Sequence, residues 1–224
     1  MSRFTRIEVA LKLKESGIVP VFYNSNPDTA LKIVEACYKG GFRVMEFTNR
    51  GDFAHEVFAA INKYAAKEFP EMILGIGSIL EEATAALYIQ LGANFIVSPM
   101  LNPQIARICN RRKIMWMPGC GSVSEISEAE ELGAEVVKIY PGSQVGGPKF
   151  IAAVKGPMPW CNMMPTGGVE PTEDNLKAWF DSGVYCVGIG SNLITSELVK
   201  SGNFAKLEED SKALLALLKK VRKS

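Results

Sequence analysis

The chain has 224 residues, 47% of them hydrophobic and 22% charged, with a formal net charge of +1. This suits one large domain or a barrel, and it lacks the basic stripe that a nucleic-acid partner demands. No apolar run is long enough to cross a bilayer, so no membrane partner is expected.

The first element in chain order is an amphipathic helix predicted over Phe4–Ser16, and the charges of the segment Met1 to Gly17, from Arg3 to Glu15, would spoil a signal peptide. Short β-rich runs then alternate with helical stretches. Run one, Ile18–Tyr23, leads to a helix over Asp28–Lys39. Run two, Phe42–Phe47, leads to Phe53–Phe69, and run three, Met72–Ile76, to Glu81–Leu91. Run four, Asn94–Val97, leads to Pro103–Arg111. Run five, Ile114–Met117, leads to Val123–Leu132, where Ser122 and Glu125 have the spacing of a capping box. Run six, Glu135–Tyr140, is followed by a looser segment with a short helix near Pro148–Val154. Run seven, Cys161–Met164, precedes Thr172–Ser182. Run eight, Tyr185–Ile189, passes through Gly190-Ser191-Asn192 into a short helix, and a last helix is predicted over Leu207–Val221.

Strand–helix repetition implies a parallel sheet with right-handed crossovers. Eight such strands closing on themselves give an α/β fold of the (β/α)8 TIM-barrel type, here with extra N-terminal and C-terminal helices and a single domain over residues 1–224. An open doubly wound sheet is the rival. It normally has a Gly-rich turn after its first strand, whereas run one passes into Tyr23-Asn24-Ser25-Asn26-Pro27.

Active sites of such barrels lie at the C-terminal strand ends. Run two closes on Glu46-Phe47-Thr48-Asn49-Arg50 and run six on Lys138-Ile139-Tyr140-Pro141, each with a charge inside an apolar strand. Side chains alternate with period two, so Phe42, Val44, Glu46 and Thr48 share one face, as do Val136, Lys138 and Tyr140. The helix-facing side should be apolar, which turns Glu46 and Lys138 into the barrel. Both sit on even-numbered strands, so they can share a layer and meet directly or through one water. A lysine stripped of hydration there favours the neutral, nucleophilic amine that forms Schiff bases. Two plainer readings stand beside this one: a lysine that snorkels its ammonium to water, and a structural Lys138–Glu46 ion pair.

Two loops point to an anion. Run seven ends in Thr166-Gly167-Gly168 and run eight in Gly190-Ser191, the usual phosphate-binding position of this fold. Glycines let backbone amides approach, while Thr166 and Ser191 offer hydroxyls. The single histidine, His55, and the absence of HxH or HExxH spacing argue against a metal. Five scattered cysteines without a CxxC pair fit small buried hydrophobes in a reduced cytoplasm.

Several blocks together resemble a known family. They are Gly41-Phe42-Arg43-Val44-Met45-Glu46-Phe47-Thr48-Asn49-Arg50, Phe95-Ile96-Val97-Ser98-Pro99, Pro118-Gly119 with Ser122-Val123-Ser124-Glu125, Val137-Lys138-Ile139-Tyr140-Pro141, and Pro165-Thr166-Gly167-Gly168-Val169. In order and spacing they resemble the 2-keto-3-deoxy-6-phosphogluconate (KDPG) / 4-hydroxy-2-oxoglutarate (KHG) aldolases. The resemblance implies a carbon–carbon lyase in which Lys138 forms the Schiff base and Glu46 moves the protons. It implies that Arg50, Ser78, Pro99 and Thr166 bind the keto acid, and that Gly167, Gly168, Gly190 and Ser191 bind phosphate. It also implies a small-molecule substrate, a phosphorylated 2-keto sugar acid, in a cytoplasmic homotrimer with no cofactor. The chain departs from the usual pattern at Ile189, where Gly-Gly-Ser is common, at Ser78, where threonine is usual, at Met100, where glycine is usual, and near Ser143, where a carboxylate is usual. These departures bear on sugar stereochemistry and on the phosphate requirement. An aldolase for the galactonate epimer is the near alternative. More distant ones are an epimerase, a decarboxylase or a thiamine-phosphate-synthase-like enzyme, and a sugar-phosphate sensor that uses the two charges only as an ion pair.

Overall fold

The computed structural model describes residues 2–222. Helix α1 (Arg6–Ser16) precedes β1 (Ile18–Phe22), α2 (Pro27–Lys39), β2 (Val44–Thr48), α3 (Ala54–Glu68), β3 (Ile73–Gly77), α4 (Glu82–Gln90), β4 (Phe95–Val97) and α5 (Pro103–Arg112). The fifth run is two short strands, β5 (Met115–Met117) and β6 (Gly119–Cys120), parted by Pro118. There follow α6 (Val123–Glu131), β7 (Val137–Ile139), α7 (Gly147–Lys155), β8 (Met163–Pro165), α8 (Glu173–Asp181), β9 (Val187–Ile189), α9 (Ser196–Ser201) and α10 (Phe204–Val221). Among the described residues no helix is long and apolar enough to cross a membrane.

Every strand pair is parallel. One sheet runs β5-β4-β3-β2-β1-β9 and the other β6-β7-β8. Among the described residues the eight expected runs are therefore nine strand segments in two sheets. The break falls at Pro118, which has no N–H to give to a ladder. Its carbonyl still accepts from the Lys138 N–H at 2.9 Å, and a bridge from Thr166 to Gly188 links the other edges. The result is a curled, all-parallel, TIM-barrel-like α/β fold.

Two apolar layers follow from the strand alternation. Val19, Val44, Ile73, Phe95, Met115, Val136, Met164 and Cys186 form the inner cluster. Ile18, Met45, Phe47, Leu74, Ile96, Trp116, Val137, Ile139 and Val187 face the helices. Phe42 corrects the expected register: it belongs to the helix-facing layer, because it lies ahead of β2 in a turn where its N–H donates to the Cys37 carbonyl.

Helix α1 closes the end of the sheet opposite the strand C-termini. Val9 and Leu13 join the inner cluster beside Val44, Ile73 and Phe95, the first inward residues of their strands. Thr5 caps the helix in a reciprocal box with Glu8, which starts it two residues later than expected. Gly17, at φ 68°, ends it and turns the chain into β1. Helix α10 lies against α2 and α8, burying Leu207, Leu214, Leu218 and Val221.

Candidate active site

In β2, Val44 packs inward while Met45 and Phe47 pack toward the helices, so Glu46 and Thr48 must point inward. Both are 1% exposed. In β7 the same alternation turns Lys138 inward between the helix-facing Val137 and Ile139, and leaves it 6% exposed. Lys138 Nζ stands 3.7 Å from Glu46 Oε1. That is an ion-pair distance but too long for a hydrogen bond. Neither Glu46 oxygen has a hydrogen-bond partner among the described residues. Buried polar atoms are usually hydrogen-bonded, so a carboxylate without a hydrogen bond beside a buried amine singles this pair out as the candidate site.

Glycines at inward positions make room for the polar side chains, Gly77 for Glu46 and Gly188 for Thr166. A Cβ on Gly77 would fall 1.8 Å from Glu46 Oε1, and one on Gly188 would fall 2.4 Å from Thr166 Oγ1. Tyr140 follows Lys138 on the same face, and its ring centroid is 5.3 Å from the ammonium, at cation–π distance.

A cavity of about 620 Å³ opens at the C-terminal strand ends. Its lining includes Thr48, Arg50, Tyr140, Thr166, Gly167, Gly168, Gly190 and Ser191. Five of the residues proposed from sequence to bind carboxylate or phosphate thus share one space with Arg50. Lys138 and Glu46 are not on this lining. Each lies one inward step deeper along its strand, below Tyr140 and Thr48. Ser78 and Pro99 are also off the lining. Ser78, at φ 60°, accepts from Arg50 Nε at 3.5 Å, and the Pro99 carbonyl abuts Gly119 of β6.

Thr166 Oγ1 is buried without a hydrogen-bond partner among the described residues. The loop that carries it is held by Gly142 N–H on the Thr166 carbonyl (2.8 Å) and Ser143 N–H on the Gly167 carbonyl (3.1 Å). Gly167 and Gly168 have φ of 99° and 80°, open only to glycine at low strain. Below Arg50, Tyr88 donates to Asn49 Oδ1 at 2.8 Å, and burial pushes this phenol up to about 12.

Beyond Gly190 the expected helix start is displaced. The N–H groups of Leu193 and Ile194 both donate to the Gly190 carbonyl in a single turn. Helix α9 begins only at Ser196, because Thr195 caps it through the Leu198 N–H. Ser122 caps α6 as expected, its Oγ accepting from the Glu125 N–H, and the Glu125 carboxylate accepts in return from Ser122 Oγ and from the Gly121 N–H. His55 is partly exposed beside Phe53, and among the described residues no three of His, Cys, Asp and Glu gather at metal-binding geometry.

Sequence reading did not single out Thr48, Tyr140 or Lys200 as cavity residues. The first two were findable, since each stands two residues past a residue already placed inward.

A family model described as KDPG and KHG aldolase matches residues 9–209. The KHG/KDPG aldolase of Escherichia coli (strain K12) is 31% identical over 196 residues, 87% of this chain and 89% of that protein. Among solved structures, KDPG aldolase from Legionella pneumophila, with pyruvate captured at low pH as a covalent carbinolamine intermediate, aligns with a TM-score of 0.83. It is 26% identical, covering 92% of this chain and 97% of that one. The 2-keto-3-deoxy-6-phosphogluconate aldolase of Zymomonas mobilis ZM4 with 3-phosphoglycerate aligns with a TM-score of 0.79 at 25% identity, covering 94% and 95%.

Proposed function

The chain belongs to the KDPG and KHG aldolase family of carbon–carbon lyases, and from that premise we propose that it cleaves 2-keto-3-deoxy-6-phosphogluconate to pyruvate and glyceraldehyde 3-phosphate through a Schiff base on Lys138. The observation that carries this reading is the buried Lys138–Glu46 pair, 3.7 Å apart, directly beneath the cavity.

In the proposed mechanism the Lys138 ammonium passes a proton to Glu46, and the neutral amine attacks the C2 ketone and gives a carbinolamine. Glu46 delivers the proton with which the C2 hydroxyl leaves as water, and an iminium remains. Glu46 then takes the proton of the C4 hydroxyl. The C3–C4 bond breaks, its electron pair flows into the iminium, and the aldehyde departs from an enamine. Reprotonation at C3 and addition of water release pyruvate and free Lys138. Glu46 suits the proton steps because its oxygens have no competing donor. Thr48 completes the wall beside it, its hydroxyl donating to the Phe22 carbonyl at 3.3 Å.

Arg50 would hold the substrate carboxylate with Ser78, its hydrogen-bond partner, while Pro99 shapes the wall near Gly119. Thr166 has a free buried hydroxyl for a substrate hydroxyl. Gly167, Gly168, Gly190 and Ser191 offer the phosphate site, and the phosphoglycerate held by the Zymomonas enzyme supports a phosphorylated substrate. The same pair would cleave 4-hydroxy-2-oxoglutarate to pyruvate and glyoxylate. The proposal includes one domain whose two sheets close as a single eight-stranded barrel, acting as a cytoplasmic homotrimer.

The test is pyruvate with borohydride. Reduction should fix one pyruvate on Lys138, located by peptide mass, and Lys138→Met should gain none. An adduct on another lysine, or no adduct on the native protein, overturns the mechanism.

A further inference from the structure

The outer wall of the cavity carries a cation that the mechanism above leaves unused. Lys200 projects from the six-residue α9 and lines the same cavity as Gly167-Gly168 and Gly190-Ser191. It takes part in none of the ion pairs among the described residues. Glu197 stands three residues earlier on the same helix, a spacing that often pairs, yet the two do not meet. Lys206, just beyond α9, is by contrast paired to Asp210 at 2.7 Å.

The charged lining of the cavity is Arg50 and Lys200, with no aspartate or glutamate among the described lining residues. A concave surface lined by one sign of charge concentrates the field on a ligand of the other sign. Two cations also match a substrate that is anionic at both ends. Glycine loops offer only partial charges from backbone N–H groups. A phosphate dianion gains most from a full charge that no carboxylate already neutralises. The buried, unpartnered Thr166 hydroxyl opens onto the same space and is a second, independent sign of a ligand there.

We propose that Lys200 is a specificity-determining residue whose ammonium binds the terminal phosphate of the substrate and sets the preference for phosphorylated over unphosphorylated 2-keto acids. This rests on the aldolase reading for the identity of the substrate, but not for the binding of the anion. Arginine in its place keeps the charge, and methionine keeps only the apolar stem.

The experiment titrates inorganic phosphate calorimetrically into the native protein, Lys200→Met and Lys200→Arg. It also measures kcat and KM on 2-keto-3-deoxy-6-phosphogluconate and on 2-keto-3-deoxygluconate, which lacks the phosphate. In Lys200→Met the phosphate Kd and the KM for the phosphorylated substrate should both rise roughly tenfold, the scale of one charge-assisted hydrogen bond. The kcat should move less than KM, and Lys200→Arg should restore most of the loss. An unchanged phosphate Kd, or an equal rise in KM on both substrates, overturns the proposal. Native protein that binds phosphate through Lys200 but traps no pyruvate on Lys138 overturns the aldolase reading alone and keeps the anion site.

Discussion

Glu46 pairs with Gly75 on β3, and Gly77, the next inward residue of that strand, leaves the room that the carboxylate occupies. An added methyl there meets Oε1 at 1.8 Å, and Oε1 is the far end of a side chain that can swing aside. Gly77→Ala should therefore displace the carboxylate while the fold stays intact. Glu46→Gln instead keeps the shape and removes the titrating group. Both should lower turnover by ~10²–10⁴-fold, the usual worth of a positioned acid–base group. Both should still trap pyruvate slowly, because Lys138 is untouched. Steady-state cleavage measured beside borohydride trapping over hours checks this, and wild-type cleavage by Gly77→Ala would mean that the carboxylate need not sit where it does. The inward placement of Lys138 and Glu46 was legible in the sequence because a charge inside an apolar period-two run has only one face left to occupy. Thr48 was placed on the same inward face but given no role, because a β-branched residue in a strand needs no functional explanation. Lys200 was invisible, since its place on the wall depends on where Thr195 starts α9.

Helix α1 shows what an element can hide from its own sequence. It carries two apolar stripes at i, i+4 spacing, Ile7 with Leu11 and Val9 with Leu13, and either could be the buried face. The fold buries Val9 and Leu13 completely and leaves Ile7 and Leu11 at 68% and 62% exposure. The choice is made by the inner cluster that α1 must cover and by Arg6, whose Nε sits 2.6 Å from Glu135 Oε1 and whose Nη1 and Nη2 reach Asn110 and the Gly133 carbonyl. Leu13→Ala should cost about 2–5 kcal/mol, as for other fully buried leucines. Leu11→Ala should stay within about 0.5 kcal/mol. Urea unfolding of the two variants decides the matter, and the reverse order would place the other stripe inward. The strand–helix order was likewise legible, because each run is bounded by turn residues. The ladder was shorter than most runs, since alternation continues past the last backbone hydrogen bond. The break at Pro118 could not be foreseen from alternation, because it depends on which neighbour each edge finds.

Across the whole molecule the cysteines sample both apolar layers. Cys37, Cys109, Cys120 and Cys161 lie in the helix-facing layer, and Cys186 lies in the inner one. Each is free and buried, and burial pushes every one of these thiols up to about 12. Thiolate is the reactive form, so at neutral pH the native protein offers almost none of it and no path to reach it. Reaction with a disulfide reagent must then wait for opening, and its pattern reports how the two layers come apart. If they are one cooperative unit, all five thiols should react in a single phase that tracks global unfolding, and all five should react at once in denaturant. Leu13→Ala sharpens the test, because Leu13 and Cys186 belong to the same inner cluster while the other four cysteines do not. A fold that opens as a whole should speed all five thiols equally in that variant, by the factor its lost stability predicts. Selective exposure of Cys186, read by peptide mass after brief labelling, would instead show that α1 lifts away from the inner cluster while the helix-facing layer stays closed.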